Sequence, residues 1–199
     1  MKLSLCGLVL AGSLLSGCAL VPGFGPAPID AYEISAPMPP TEGRRLSRTQ
    51  ILVPEPAALR LLDGEDLVIR TADGAVQLLG GARWSDRLPK LVQARMIEAY
   101  QDSGRFGGVG RPGDGLAIDY QIILDIRAFE IKLGPGRDQA WVEINARVLN
   151  DRNGIVRASR DFTATEPVAG SGAQVFVAAL NRAFQSVAGE IVGWSAGVM

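Results

Sequence analysis

Three consecutive stretches in the second half of the chain constrain the fold more than any other feature. Ile118–Glu130 alternates apolar and polar residues, which is the period of a strand with one buried face. Gln139–Leu149 repeats this alternation, and Ile155–Thr165 follows directly after Asn153-Gly154, a strong hairpin-turn signal. Because strands joined by short turns usually pair with their sequence neighbours, we predict an antiparallel meander of three long strands.

Two further segments have the period of amphipathic helices. The first is expected to begin with Ser85 or Asp86 as its N-cap and to end at Ser103-Gly104, where glycine suits a C-cap. The second carries a wide apolar stripe from Phe176 to Trp194. Since an apolar sheet face needs a cover, the predicted fold class is α/β, of the α+β type. It is a mixed, largely antiparallel sheet that contains the meander and is covered by two main helices in an α/β sandwich.

The first half of the chain predicts shorter strands. Asp63–Asp66 and Thr71–Gly74 carry Asp-Gly turn signals between apolar runs, which indicates strands in hairpin succession. The predicted short strands are Ala31–Ile34, Gln50–Val53, Leu59–Leu62, Leu67–Arg70 and Ala75–Leu79.

The glycines of Gly108–Gly113 have the G-x-G-x-x-G spacing of dinucleotide-binding loops. That motif needs a strand before it and a helix after it. Here the order is reversed, because the glycines follow a predicted helix and precede a predicted strand. We therefore interpret the segment as a flexible loop and expect no cofactor.

The amino terminus predicts where the protein works. An apolar run, Leu3–Leu15, follows the positive charge of Lys2 and is too short to cross a bilayer, as in a secretory signal. It leads into the Leu-Ser-Gly-Cys sequence Leu15–Cys18, the pattern of a bacterial lipobox, in which the cysteine is lipidated and the leader is cut before it. We predict Cys18 as the lipid attachment, since two or more acyl chains give stable anchoring.

This signal divides the chain into three parts. Residues 1–17 form the predicted lipoprotein signal peptide, residues 18–30 a lipidated Pro/Gly-rich tether, and residues 31–199 one domain. Ala19 stands where an aspartate would often mark retention at the inner membrane. The expected location is therefore the periplasmic side of the outer membrane in a Gram-negative envelope. An ordinary signal peptide is the alternative, and no second apolar stretch is expected to approach spanning length.

Composition removes several classes of function. The 199 residues include no histidine, which excludes Ser-His-Asp and Cys-His catalysis, histidine metal sites and a histidine pH switch. With 20 basic and 21 acidic side chains, the chain has no basic footprint for nucleic acid. Its cysteines are Cys6, within the leader, and Cys18, so the domain is expected to fold without a disulfide.

One face of the predicted meander is polar, and it is the candidate binding surface. Cross-strand ion pairs on a solvated sheet face are the expected arrangement. A glycan hydrolase with paired carboxylates is the enzyme alternative, with Asp125 and Glu143 as the two acids, which would have to lie about 5–10 Å apart. The residues of this polar face are Asp125, Arg127, Glu143, Asn145 and Arg147.

The order of these features resembles the ABC-type transport auxiliary lipoproteins, the paraquat-inducible protein C-like group. The matching pieces are Leu15–Cys18, Tyr32–Ile34, Ile51–Pro54, Val68–Arg70, Ala82–Leu88, Ile122–Glu130 and the closing helix that ends at Trp194.

The resemblance implies a non-enzymatic protein that serves an ABC transporter moving lipid between the two membranes. Its implied partners are a periplasmic protein with a mammalian-cell-entry (MCE) domain and the permease and ATPase of the same system. The family has an α/β sandwich domain, and Cys18 is the one position that carries over from it. A ring of identical subunits would suit a docking protein of this kind, and a periplasmic lipid carrier with an internal cavity is a further alternative.

Overall fold

The computed structural model describes residues 28–38 and 43–199. The predicted signal peptide, the lipid attachment at Cys18 and the tether up to residue 27 lie outside these described residues. The described residues form nine strands and two helices in one sheet-and-helix unit. In chain order the elements are β1 (Asp30–Tyr32), β2 (Leu46–Leu52), β3 (Ala57–Ala58), β4 (Asp66–Arg70), β5 (Val76–Trp84), α1 (Leu88–Asp102), β6 (Phe106–Gly110), β7 (Tyr120–Lys132), β8 (Gln139–Asn150), β9 (Ile155–Pro167) and α2 (Ala173–Val198).

Strand β7 is the centre of the sheet. One of its edges pairs along its whole length with β8, which pairs in turn with β9, both in antiparallel order. This confirms the predicted meander. The other edge of β7 is shared by three shorter parallel strands in succession: β2 at its start, β3 in its middle and β4 at its end.

The remaining strands extend the sheet beyond these short partners. Strand β6 pairs in parallel with β2, β5 pairs in antiparallel order with β4, and β1 pairs in parallel with β5. Most paired residues belong to the antiparallel ladders, so the predicted mixed, largely antiparallel sheet is confirmed.

Both helices cover the same face of the sheet, which we call the inner face. Phe129 of β7 packs between Trp84 of β5 and Phe184 of α2, with ring centroids 5.7 and 6.1 Å away. The hydroxyls of Tyr100 in α1 and Ser195 in α2 are 2.9 Å apart and buried, so the helices also contact each other. Burial raises the pKa of Tyr100 well above its ordinary value. The predicted two-layer sandwich is confirmed.

Helix α2 corrects one expectation drawn from composition. Its 26 residues are long and apolar enough to cross a membrane, although no such stretch was expected after the leader. More than half of its most apolar window is buried against the sheet. Such burial is what the core helix of a sandwich requires.

The predicted start of α1 is early by one or two residues. Neither Ser85 nor Asp86 is the N-cap, because the cap residue is Arg87, without a side-chain capping bond, and the helix begins at Leu88. Strand β5 continues up to Trp84, which is buried, and the next residue, Ser85, donates its backbone N–H to the carbonyl of Tyr32 in β1. The pairing partner lies 53 residues earlier in the chain, so local signals do not reveal it. The predicted end at Ser103 is confirmed.

The predicted strand Leu59–Leu62 is also wrong. These residues form a turn, in which Leu62 and Asp63 donate their backbone N–H groups to the carbonyl of Leu59. Strands β3 and β4 both run parallel to β7 along the same edge. The turn signal at Asp63–Asp66 therefore lies in the connection between two parallel strands and does not form a hairpin. The second predicted turn, Thr71–Gly74, does join an antiparallel pair, β4 and β5.

The segment Gly108–Gly113 is not a loop throughout, because its first three residues belong to β6. Its partner β2 approaches the glycine-rich strand closely. A Cβ atom on Gly107 would lie 2.4 Å from the carbonyl oxygen of Ser47. Glycine at position 107 therefore allows the two backbones to come together.

The two ends of the sheet are distinguished by the turns that lie there. We call the end with the turns 71–75 and 133–138 the tether end, and the end with the turn 151–154 and the carboxyl terminus the far end. Strand β1 is parallel to β5, and β5 starts at the tether end. Asp30, the first residue of β1, therefore lies on the side of Tyr32 that faces the tether end.

Candidate functional site

The face of the sheet opposite the helices, the outer face, carries the polar residues that the sequence singled out. Asp125, Asn145 and Asp161 lie side by side on β7, β8 and β9. Asn145 donates its side-chain N–H to a carboxylate oxygen of Asp161 over 2.6 Å. Alternation along each strand sends these side chains away from the helices. Asn145 is buried between its two neighbours, Asp125 is half-buried, and Asp161 is exposed.

Arg127 connects this row to the next one along the strands. Its guanidinium lies 2.8 Å from the Asp161 carboxylate and 3.8 Å from that of Glu143. The hydrogen bond from Asn145, followed by the charge of Arg127, lowers the pKa of Asp161. The predicted cross-strand ion pairs are confirmed. Arg147, in contrast, forms no ion pair with any carboxylate of residues 28–38 and 43–199.

A β-bulge sets the position of the two candidate acids, Asp125 and Glu143, relative to each other. The register shifts between Ile126 and Ala128, so Ala128 rather than Asp125 lies opposite Glu143. Asp125 faces Asn145 instead. The Arg127 guanidinium is shared by Glu143 and a third carboxylate, which is the pattern of a structural ion-pair network and not of an acid–base pair.

A second polar cluster on the outer face was not predicted. Near the tether end, the Glu130 side chain is 3% exposed and accepts two hydrogen bonds from Arg70 of β4, of 2.7 and 2.9 Å. This bidentate bond raises the pKa of Arg70. Lys132 lies over the ring of Trp141 in β8, and burial lowers the pKa of the lysine. The sequence signal was an acid at an outward position of a long strand, but its partner comes from a strand 60 residues away.

Two surface cavities lie at opposite ends of the sheet. The larger, about 700 Å³, is at the tether end between the turns 134–138 and 167–170. The smaller, about 310 Å³, is at the far end, where Arg48, Asp119 and Arg152 line it. Asp119 accepts the backbone N–H of Gln50 and pairs with Arg152, and these two contacts lower its pKa.

The space between the sheet and the helices is filled by side chains. Trp84, Phe129, Phe162 and Phe184 are fully buried there and contact one another or further aromatic rings. A lipid carrier needs its cavity in this layer. Within the described ranges, no three His, Cys, Asp or Glu side chains come together in a group that could hold a metal ion.

Comparison with known proteins identifies the family. The model of the ABC-type transport auxiliary lipoprotein component matches residues 32–192, which is most of the domain. The chain belongs to this family. It is therefore a member of a family of envelope lipoproteins that assist ABC-type transport.

Relatives agree with this membership. The protein XCC0632 from Xanthomonas campestris, of family DUF330, is 28% identical in sequence. Its structure covers 84% of this chain and 95% of its own, with a TM-score of 0.77. The hypothetical protein CT253 from Chlamydia trachomatis shares the fold at 9% identity, with a TM-score of 0.54 over 75% of this chain and 96% of its own.

A longer relative is the protein bll6063 of Bradyrhizobium diazoefficiens. It is 30% identical over 183 residues, which are 92% of this chain and 49% of that protein. The chain thus spans about half the length of this curated relative.

Proposed function

We propose that this auxiliary lipoprotein is a non-enzymatic docking component of an ABC-type, MCE-domain system that moves lipid between the inner and outer membranes. Its lipid is attached at Cys18, and it sits on the periplasmic side of the outer membrane. The observation that carries the proposal is the family match over residues 32–192. The partners in the proposal are the MCE-domain protein, the permease and the ATPase of the same system.

The length of the tether supports a docking role. A tether of residues 18–30 spans at most about 47 Å when fully extended, so the domain stays close to the membrane that holds the lipid.

Neither alternative function is favoured by the geometry. The hydrolase needs two acids across a cleft, whereas Asp125 and Glu143 are offset by the β-bulge, and Arg127 bridges Glu143 to Asp161. The lipid carrier needs a cavity where the aromatic side chains pack. Assembly into a ring of identical subunits remains a prediction by analogy.

The test is a crosslinked pull-down of the full-length, lipidated protein from its native membranes, read by mass spectrometry. We expect the MCE-domain protein and the permease to be recovered. Recovery of the protein alone, or with envelope polymers, would contradict the docking role and return attention to hydrolysis.

The anchor has its own test. Cys18→Ser should leave the domain folded and move it from the outer-membrane fraction to the soluble fraction, because the acyl chains are then absent. Retention of the Cys18→Ser variant in the outer-membrane fraction would refute the anchoring part of the proposal.

A further inference from the structure

An apolar strip crosses the outer face at the far end. One row of paired residues runs unbroken over five strands: Gly110 of β6, Leu52 of β2, Gln121 of β7, Leu149 of β8 and Val156 of β9. We call the exposed or half-exposed side chains on and beside this row the Val156 strip. They are Leu52, Leu116, Gln121, Ile123, Leu149 and Val156.

Leu116 completes the strip at its β6 end. Gly110 has no side chain of its own, and Leu116 occupies the position that a side chain there would take, 2.7 Å from an ideal Cβ. Ile123 is two residues beyond Gln121 on β7, so it has the same outward direction. The strip is therefore continuous and apolar apart from Gln121 and, at its β6 end, the Asp114 carboxylate, which lies 2.8 Å from the same ideal Cβ. No helix among the described elements covers it.

The acidic and basic side chains beside the strip differ in the contacts that they make within the domain. Asp114 accepts the backbone N–H of Arg111 over 2.8 Å, and Asp151 accepts the side-chain N–H of Gln121 over 2.5 Å. The guanidinium groups are different. Arg111, Arg147 and Arg157 are exposed and make no ion pair within residues 28–38 and 43–199.

Distance favours a helix as the occupant. Neighbouring strands are about 4.8 Å apart, so five strands span about 19 Å, the length of about 13 helical residues at about 1.5 Å per residue. One helical turn advances about 5.4 Å. Apolar residues on successive turns of a helix laid across the strands would therefore meet successive strands of the strip.

From these observations we propose that the Val156 strip is the docking site for an acidic amphipathic helix. The helix has about 13 residues, and carboxylates flanking its apolar face pair with Arg111, Arg147 and Arg157. The inference rests on the proposed function, because it assigns the helix to the MCE-domain partner.

The test uses the full-length, lipidated protein in native membranes, with a photocrosslinking amino acid at Val156 or, as the matched control, at Val76. The two valines are 46% and 40% exposed and lie at opposite ends of the sheet. We expect at least tenfold more adduct with the MCE-domain protein from Val156. Mass spectrometry should map it to a peptide with helical apolar spacing and flanking Asp or Glu.

Charge is tested separately by Arg147→Glu combined with Arg157→Glu, against Arg137→Glu at the tether end as the control. Arg137 is also exposed and lacks an ion pair among the described residues. The double variant should lower the Val156 adduct about tenfold at an unchanged melting temperature, and the control should leave it unchanged. Equal loss in both would mean that the arginines do not act locally and would overturn the charge pairing.

Each other outcome overturns the inference in a distinct way. An adduct with lipid would make the strip a membrane contact, and an adduct with a second copy of this chain would make it an interface between subunits. Equal adducts from both valines, or none from Val156, while the pull-down still recovers the MCE-domain protein would refute this surface and leave the docking role standing. Loss of the MCE-domain protein from the pull-down as well would refute both.

Discussion

The two faces of the meander are built from the same three strands and have opposite properties. On the inner face, Ile122, Leu124 and Ile126 of β7 and their partners on β8 are fully buried under the helices. On the outer face, Arg127 of β7 forms ion pairs with Glu143 and Asp161 in contact with solvent. The inner face therefore carries the stability of the domain, and the outer face is free to carry recognition.

Among the charged residues of the outer face, Glu130 departs from this division between the two faces. It lies on the outer face, yet its side chain is as buried as those of the core because Arg70, Lys132 and Trp141 surround it. Near the tether end, the outer face thus contributes a buried ion pair to the stability of the domain. At the far end, its side chains are exposed to solvent.

The largest expected effect separates the two faces directly. Trp84→Ala on the inner face should lower the free energy of unfolding by about 3–5 kcal/mol, because it opens a cavity beside Phe129. Trp141→Ala on the outer face should cost less than half as much, since its ring is partly exposed. Urea denaturation of both variants measures the difference. Equal losses would contradict the division of roles between the faces.

A smaller loss is expected from Arg70→Met. It leaves the buried Glu130 carboxylate without its bidentate donor, at a cost of about 1–3 kcal/mol, towards the lower end because Arg70 is itself 38% exposed. Adding Glu130→Gln should recover part of the loss, since the buried charge is then removed. A double-mutant cycle checks this. Strictly additive losses would show that the two side chains are not coupled.

Acid should weaken the far end through Asp119. Its folded-state pKa is lowered, so its contribution to stability is present above the ordinary aspartate pKa of about 3.9 and is lost as the pH falls through the lowered value. Asp119→Asn should therefore flatten the pH dependence of the unfolding free energy below about pH 4. An unchanged acid limb in the variant would refute the assignment.

The smallest effect on stability is expected from Arg127→Gln. The ion pair with Asp161 is solvent-exposed, so the unfolding free energy should stay within experimental error. The pKa of Asp161 should rise, because one of the two contacts that lower it is lost while the hydrogen bond from Asn145 remains. Titration of the carboxyl by NMR measures this. A clear loss of stability would mean that the outer face supports the fold in its middle as well.

The sequence by itself determined the elements whose signals are local and long. The alternation of β7 and β8 predicts their pairing, because a two-residue period fixes which face is buried. The turns Gly134–Gly136 and Asn153-Gly154 bring each strand next to the one that follows it, so that sequence neighbours pair in a defined register. The stripe of α2 predicts a cover for the sheet in the same way, and the polar residues of the outer face follow from the alternation.

Only the tertiary structure decided the features that join distant parts of the chain. The pairing of β1 with β5 extends the strand to Trp84 and delays the start of α1 by one or two residues, and the pairing with β2 makes Gly108–Gly110 of the predicted loop part of β6. The Glu130–Arg70 pair and the five-strand row behind the Val156 strip likewise depend on parallel neighbours far away in sequence. The physical reason is that a parallel strand pair has no short turn between its members. Its register is set by packing over the whole sheet and leaves no mark on the local sequence.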